Sequence, residues 1–289
     1  MLQVARLARK VLGDSTPLVA EFLRSQQQPQ GGFGDREGKR DLYYTVFGME
    51  GLIALEQSLP WERLVEFLLE YGEGEKLDLV HLSCLIRCWA DLPLSFRTRQ
   101  PTQGLLRRLQ SFRAVQGGYG LSPRALTGSI YGCFMAVAAF QDLNQPVPDP
   151  EQVVDFVIGL RDANGGFANG QDLPVALVPS TAAAVCLLHE LAPERLDERM
   201  ARWLLSCRHP QGGFRSHPET LLPDLLSTAT ALHALAVMHA DLQQCQEPCL
   251  DFLDSLWNAR GGFCGHWEDG HLDCEYTYYG LLSLGHLSF

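Results

Sequence analysis

Two kinds of helical stretch alternate along the chain. In the first kind apolar residues recur at helical spacing on one side and charged residues occupy the other, over 62–71, 103–112, 151–161, 193–207 and 246–257. Such stretches cover something apolar on one face and meet water on the other. The second kind is apolar or small nearly all round, as in Thr181-Ala182-Ala183-Ala184-Val185-Cys186-Leu187-Leu188, Ser227-Thr228-Ala229-Thr230-Ala231-Leu232 and the stretch 77–91. That composition predicts burial on every side. Between a first and a second stretch stands a short phrase: Gln30-Gly31-Gly32-Phe33, Gln116-Gly117-Gly118-Tyr119, Asn164-Gly165-Gly166-Phe167, Gln211-Gly212-Gly213-Phe214 and Arg260-Gly261-Gly262-Phe263. The first steps from copy to copy are 86, then 48, 47 and 49 residues, so a degenerate copy is expected near Tyr71-Gly72-Glu73-Gly74. Six units of about 48 residues then account for the whole chain.

The phrase follows a helix end, where a left-handed residue is favoured and glycine adopts it without steric cost. The aromatic residue can pin the turn to the core. Asp149-Pro150-Glu151-Gln152 is a helix start, with Asp149 as the side-chain cap and Pro150 in the first turn. Six first and six second helices predict an all-α architecture of helical hairpins. An open solenoid needs polar capping repeats. The last stretch, from Leu281 on, is too apolar to cap anything, so a closed ring is expected, with residues 1–289 as one domain.

Charge and composition narrow the functions. A net charge of −11, with no Lys/Arg cluster, argues against a nucleic-acid partner. No apolar run approaches the roughly 20 residues of a membrane span, and the start lacks a signal-peptide core. Nine scattered cysteines read as reduced thiols of a cytoplasmic protein. Cys245 and Cys249 read as structural, and Cys264, His266, His271 and Cys274 match no standard zinc spacing.

The glycine-aromatic turns feeding apolar helices resemble the β subunits of protein prenyltransferases and, more distantly, squalene and oxidosqualene cyclases. The stretch from Leu23 to Asp35, Leu-Arg-Ser-Gln-Gln-Gln-Pro-Gln-Gly-Gly-Phe-Gly-Asp, is typical of that superfamily. The resemblance covers the whole chain. It implies an α/α toroid (α6–α6 barrel) with a central apolar funnel for an isoprenoid, often as its diphosphate, and transfer of that group to an acceptor. A protein or peptide acceptor and an α-like partner subunit are implied with it.

In such β subunits an Asp-x-Cys-Tyr segment supplies two zinc ligands and an Asp-x-[Phe/Tyr]-His segment a third. Here Asp273-Cys274-Glu275-Tyr276 has Glu275 in place of the cysteine, and Asp41-Leu42-Tyr43-Tyr44 has Tyr44 in place of the histidine. By that resemblance Asp273, Glu275 and Tyr44 form the reactive site, with Asp273 and Glu275 as ligands of a divalent metal, Zn or Mg. An oxygen-only set suits Mg²⁺, Mn²⁺ or Ca²⁺ better than zinc. In a second register Asp224 takes the aspartate's place and Tyr276 the third position. The diphosphate-binding basic segment is replaced by the stretch 265–271, which is acidic, so Arg36, Lys39, Arg40 and Arg124 become the candidate cations. The cyclases' Asp-x-Asp-Asp segment does not occur, and a desolvated acid such as Asp224 or Asp273 is the alternative proton donor. Substrate-facing candidates are Asp41, Arg40, Tyr131, Tyr276, Tyr279 and His81. Against each stands a plainer reading: Asp41, Asp224 and Asp273 as helix caps, the tyrosines as core, and His81 as a paired core histidine. A non-catalytic lipid- or protein-binding toroid is the remaining class.

Overall fold

The computed structural model describes residues 1–288. In chain order its helices are α1 (Leu2–Ala5), α2 (Ala8–Leu12), α3 (Thr16–Ser25), α4 (Leu42–Ala54), α5 (Trp61–Leu69), α6 (Leu79–Asp91), α7 (Thr102–Gln110), α8 (Ile130–Asp142), α9 (Pro150–Ile158), α10 (Val178–Leu191), α11 (Glu198–Ser206), α12 (Leu225–Val237), α13 (Gln243–Leu256) and α14 (Cys274–His286). A two-stranded ribbon, β1 (Phe33–Gly34) with β2 (Arg40–Asp41), lies between α3 and α4. From α3 onward the helices alternate in the expected way, amphipathic then apolar. Two compact units contain them, residues 60–200 and the combination of 1–59 with 201–289.

In the unit formed by the two ends of the chain, α14 is the central element. It packs against α12 on one side and α4 on the other, with α1 and α2 also against it. The first and last hairpins are therefore neighbours. In the 60–200 unit the corresponding row is α6, α8, α10. Leu23, Leu52, Leu232 and Leu281 are buried in the first unit, and Leu85, Phe140, Val185 and Leu188 in the second.

Four of the five glycine-aromatic turns are anchored in the same way, and in the fifth, at Tyr119, Cys133 stands in the threonine's place. The backbone N–H of Phe33 donates to Thr45 Oγ1 at 2.9 Å, that of Phe167 to Thr181 at 2.9 Å, that of Phe214 to Thr228 at 2.9 Å and that of Phe263 to Thr277 at 3.4 Å. Each threonine is wholly buried in the first turn or so of the following helix. The glycine has a specific reason at Gly212: its φ is +97°, and a methyl group there would collide with the Pro248 carbonyl. The degenerate copy keeps the conformation, with Gly72 at φ +53° and Gly74 at φ +77°.

The starts of the second helices are stitched to their neighbours. Leu79 N–H donates to Leu121 O at 3.1 Å, Ile130 N–H to Asn169 O at 2.8 Å and Leu225 N–H to Gly265 O at 2.8 Å. In each case the loop of one hairpin satisfies a free N–H of the preceding hairpin's helix.

Two local expectations are corrected. Asp149 does not cap α9 with its side chain; it adopts a left-handed conformation and its carboxylate pairs with Arg113 at 2.9 Å. The stretch 193–207 is not one helix but a short turn followed by α11. Asp197, between them, accepts a hydrogen bond from Arg161 at 2.6 Å.

Candidate active site

The site is built where α4 and α14 begin. Asp41, Asp224 and Asp273 each stand in extended conformation just before a helix, and each accepts the N–H three residues on: Tyr44 at 3.1 Å, Ser227 at 2.7 Å and Tyr276 at 2.8 Å. All three are N-caps. Asp224 spends its second oxygen on the Ser227 hydroxyl at 2.7 Å, and burial raises its pKa.

Asp273 does more. It is 3% exposed, and its Oδ2 accepts from Arg36 Nε at 2.8 Å. Arg36 Nη2 reaches Asp269 at 3.2 Å, and the guanidinium lies over the Tyr276 ring, 5.5 Å from its centre. The tip of the β1–β2 ribbon carries Arg36, and Asp35 holds that tip by accepting the N–H groups of Glu37 and Lys39, both at 2.9 Å. Burial works against the charge on Arg36, but Asp273 and Asp269 outweigh it and raise its pKa. Asp269 stays below its ordinary range because hydrogen bonds from His271 and Arg36 outweigh its burial.

Glu275, in the first turn of α14, accepts the Tyr43 hydroxyl at 2.6 Å. Burial raises its pKa; the Tyr43 hydrogen bond opposes this and the Asp273 charge adds to it. Around this pair stands a wall of rings. Tyr43 meets Tyr44 and Phe47 edge-on, with centres 5.7 and 4.9 Å apart. Phe47 meets Tyr279 at 5.5 Å, and Tyr279 meets Tyr276 at 6.5 Å. Tyr44 and Tyr276 are both pushed up to about 12 by burial, with the charges of Asp273 and Glu275 adding to it. Both stay neutral phenols at physiological pH.

The structure thus gathers Tyr44, Asp273, Glu275 and Tyr276 at one place, but Tyr43 rather than Tyr44 bonds Glu275. Arg40 Nη1 donates to Gln30 O at 3.3 Å. His81 and Tyr131 lie in the 60–200 unit. His81 is not a core residue; it sits at the start of α6, partly exposed, with Nδ1 2.9 Å from Asp78. Tyr131 is half-buried in the first turn of α8, its N–H bonded to Asn169 Oδ1 at 3.0 Å. Reading the sequence left Arg36 unpaired with Asp273 and did not single out Phe47 or Asp269. The one signal was an acidic stretch, 268–275, that needs a counter-charge.

The residues do not fit a metal. Both Asp273 oxygens are taken, one by the helix and one by Arg36, and Glu275 is tied to the Tyr43 hydroxyl, with its pKa raised by burial. Among the described residues no three His, Cys, Asp or Glu side chains are grouped to hold an ion. Cys274 is buried with its thiol pushed well up by burial, and His271 is turned to solvent, so the cysteines and histidines of 264–274 form no zinc set. A second pair of imidazoles lies at the other end of α14: His233 Nδ1 and His286 Nε2 are 3.0 Å apart, and burial lowers His286 to about 4.

A family model described as the prenyltransferase alpha-alpha toroid domain matches residues 7–86, 125–198 and 181–288. The β subunit of pea (Pisum sativum) protein farnesyltransferase is 26% identical over 159 residues, 53% of this chain and 37% of that protein. The match thus spans little more than a third of its curated relative. Among solved structures, Candida albicans protein geranylgeranyltransferase-I complexed with GGPP is 15% identical at a TM-score of 0.66, covering 86% of this chain and 87% of that one. A variant of the type II terpene cyclase MstE from Scytonema, with geranylgeranyl dihydroxybenzoate bound, is 14% identical at 0.62, covering 98% and 97%. A variant α-1,6-mannanase from Salegentibacter, bound to α-1,6-mannotriose, is 11% identical at 0.66, covering 96% and 98%. One fold therefore accompanies three chemistries, and the site must decide among them.

Proposed function

The chain belongs to the prenyltransferase alpha-alpha toroid family, and from that membership we propose that it is an enzyme acting on a linear isoprenoid, with its reactive site at the start of α14. Residues 1–289 are taken as one such domain, with the isoprenoid in a central funnel. The observation that carries the chemistry is Glu275: a partly buried acid held by the Tyr43 hydroxyl at 2.6 Å, with Tyr43 itself packed edge-on against Phe47.

A carboxyl group whose pKa is raised by burial suits protonation of an alkene when it holds its proton. The Glu275 O–H bond breaks, and the alkene electron pair takes the proton as a new C–H bond. A carbocation is left on the neighbouring carbon, and a carboxylate forms on Glu275. Tyr43 is placed to stabilise that carboxylate by the bond it already donates. The faces of Phe47 and Tyr279 suit a cation migrating along the chain. Attack by the next alkene closes a ring, and a proton lost from carbon to water, with return of one proton from water to the Glu275 carboxylate, ends the sequence and restores the acid. Arg36 orients Asp273, which caps the helix that carries Glu275.

Incubation with linear polyprenyl alcohols and diphosphates, with products separated by gas chromatography–mass spectrometry, tests this. Cyclic hydrocarbons or alcohols are expected from the native chain and none from Glu275→Gln. Equal product from both variants would remove Glu275 from the reaction.

A second reading is transfer of the isoprenoid to a protein or peptide acceptor, with an α-like partner subunit. The similarity to a farnesyltransferase β subunit favours it. Label on a protein thiol, with no cyclic product, would establish it in place of the first.

A further inference from the structure

We infer that Arg36 is a resident cation standing where a divalent metal would stand, and that the isoprenoid admitted here therefore carries no diphosphate. The second half rests on the proposed isoprenoid reading; the first does not.

The geometry is that of a cation site already filled. Two carboxylates from different parts of one loop, Asp269 and Asp273, converge on a single guanidinium, one through Nη2 at 3.2 Å and the other through Nε at 2.8 Å. Both are largely withdrawn from water, at 11% and 3% exposure, whereas Arg36 is 37% exposed. Two such carboxylates side by side repel each other and each loses hydration, so a positive charge between them is required. The chain supplies it from the ribbon tip, which Asp35 braces through two backbone bonds. The face of Tyr276 supports the guanidinium from the α14 side.

This arrangement has a consequence for charge. Arg36 is shared between two anions, so the group as a whole stays negative. It cannot also neutralise a diphosphate, whose several negative charges need a metal or a cluster of free basic groups. The neighbouring surface adds Glu268, an exposed acid, to the same loop. An isoprenoid ending in a hydroxyl or an aromatic ring meets no such repulsion and can pack against Tyr279.

Titration of the full-length protein with Mn²⁺, followed by electron paramagnetic resonance, tests the first half. The native protein is expected to leave Mn²⁺ free, Arg36→Ala to bind one ion through the released carboxylates, and Arg36→Lys, which keeps the charge, to bind none. Circular dichroism establishes that each variant is folded; if Arg36→Ala is not, Arg36→Gln takes its place. One Mn²⁺ bound by the native protein and lost in Asp273→Asn would overturn the assignment, as would a folded Arg36→Ala or Arg36→Gln that binds none. For the second half, quenching of intrinsic fluorescence compares farnesol with farnesyl diphosphate, with and without Mg²⁺. Farnesol is expected to bind more tightly by about tenfold or more, with no effect of Mg²⁺. Tighter binding of the diphosphate refutes the second half. Binding of neither overturns the isoprenoid reading and the second half with it, and leaves the Mn²⁺ result standing on its own.

Discussion

Side-chain caps occur in both compact units, and in the function proposed above only one of the units turns a cap to chemistry. In the 60–200 unit Asp78 caps α6 and Ser129 caps α8, each accepting an N–H at 2.9 Å, while Leu177 precedes α10 with no side-chain cap. In the unit formed by the chain ends Asp41, Asp224 and Asp273 do the same work over similar distances. The difference is surroundings. Asp78 is 51% exposed and has His81 as its partner; Asp273 is 3% exposed, faces Arg36 and stands two residues from a second, partly buried acid. Capping asks only for a short polar side chain. Reactivity asks for the same carboxylate withdrawn from water beside another one.

The largest expected effect separates the units outright. Glu275→Gln should lower turnover by about 100-fold or more, the usual scale for a lost proton donor, while Asp78→Asn leaves turnover unchanged. Steady-state rates measure both, and a comparable loss in Asp78→Asn would erase the distinction. The turns should instead behave alike. Gly165→Ala meets the Arg199 backbone and Gly212→Ala the Pro248 carbonyl, both at strongly positive φ. Each should cost about 2–4 kcal/mol in chemical denaturation, from backbone strain plus collision.

Stability should also depend on pH through the chain-end unit. His286 is lowered from 6.5 to about 4 in the fold, chiefly by burial. The unfolded chain therefore binds the proton first, so stability is full above pH 6.5 and falls as pH drops towards 4, by about 3 kcal/mol. His286→Phe should flatten that slope in denaturation series at several pH values. The smallest effect is the most even: Thr181→Val and Thr228→Val each remove a bond to a buried phenylalanine N–H and should cost about 1–2 kcal/mol alike. Unequal losses would show that the two units use their turns differently.

The periodic part of this molecule was legible in its sequence. The spacing of the glycines gave the hairpin count, revealed the degenerate copy at Gly72 and Gly74, and made the first and last hairpins neighbours. Chemistry was legible only to the precision of a helix. Tyr44 and Tyr43 are adjacent in sequence but about 100° apart around α4, and the Asp41 cap sets which of them meets Glu275. Arg36 was among the candidate cations, but its pairing with Asp273 was beyond reach for a different reason. It sits on a ribbon tip without periodicity, 237 residues from Asp273, so only folding pairs them. His233 and His286 show the same limit, since nothing local marks either as the other's partner.

The loop stitching also bears on how such a chain lengthens or shortens. Leu79, Ile130 and Leu225 each borrow a carbonyl from the following hairpin, and the lending groups, Leu121, Asn169 and Gly265, are backbone oxygens that any residue offers. Duplicating a whole hairpin keeps every loan matched, because the new copy both borrows and lends. A duplication out of phase would strand a donor at each junction. The unit of inheritance is therefore the complete hairpin with its loop, and side chains at the helix starts are left free to diverge into an Asp78 or an Asp273.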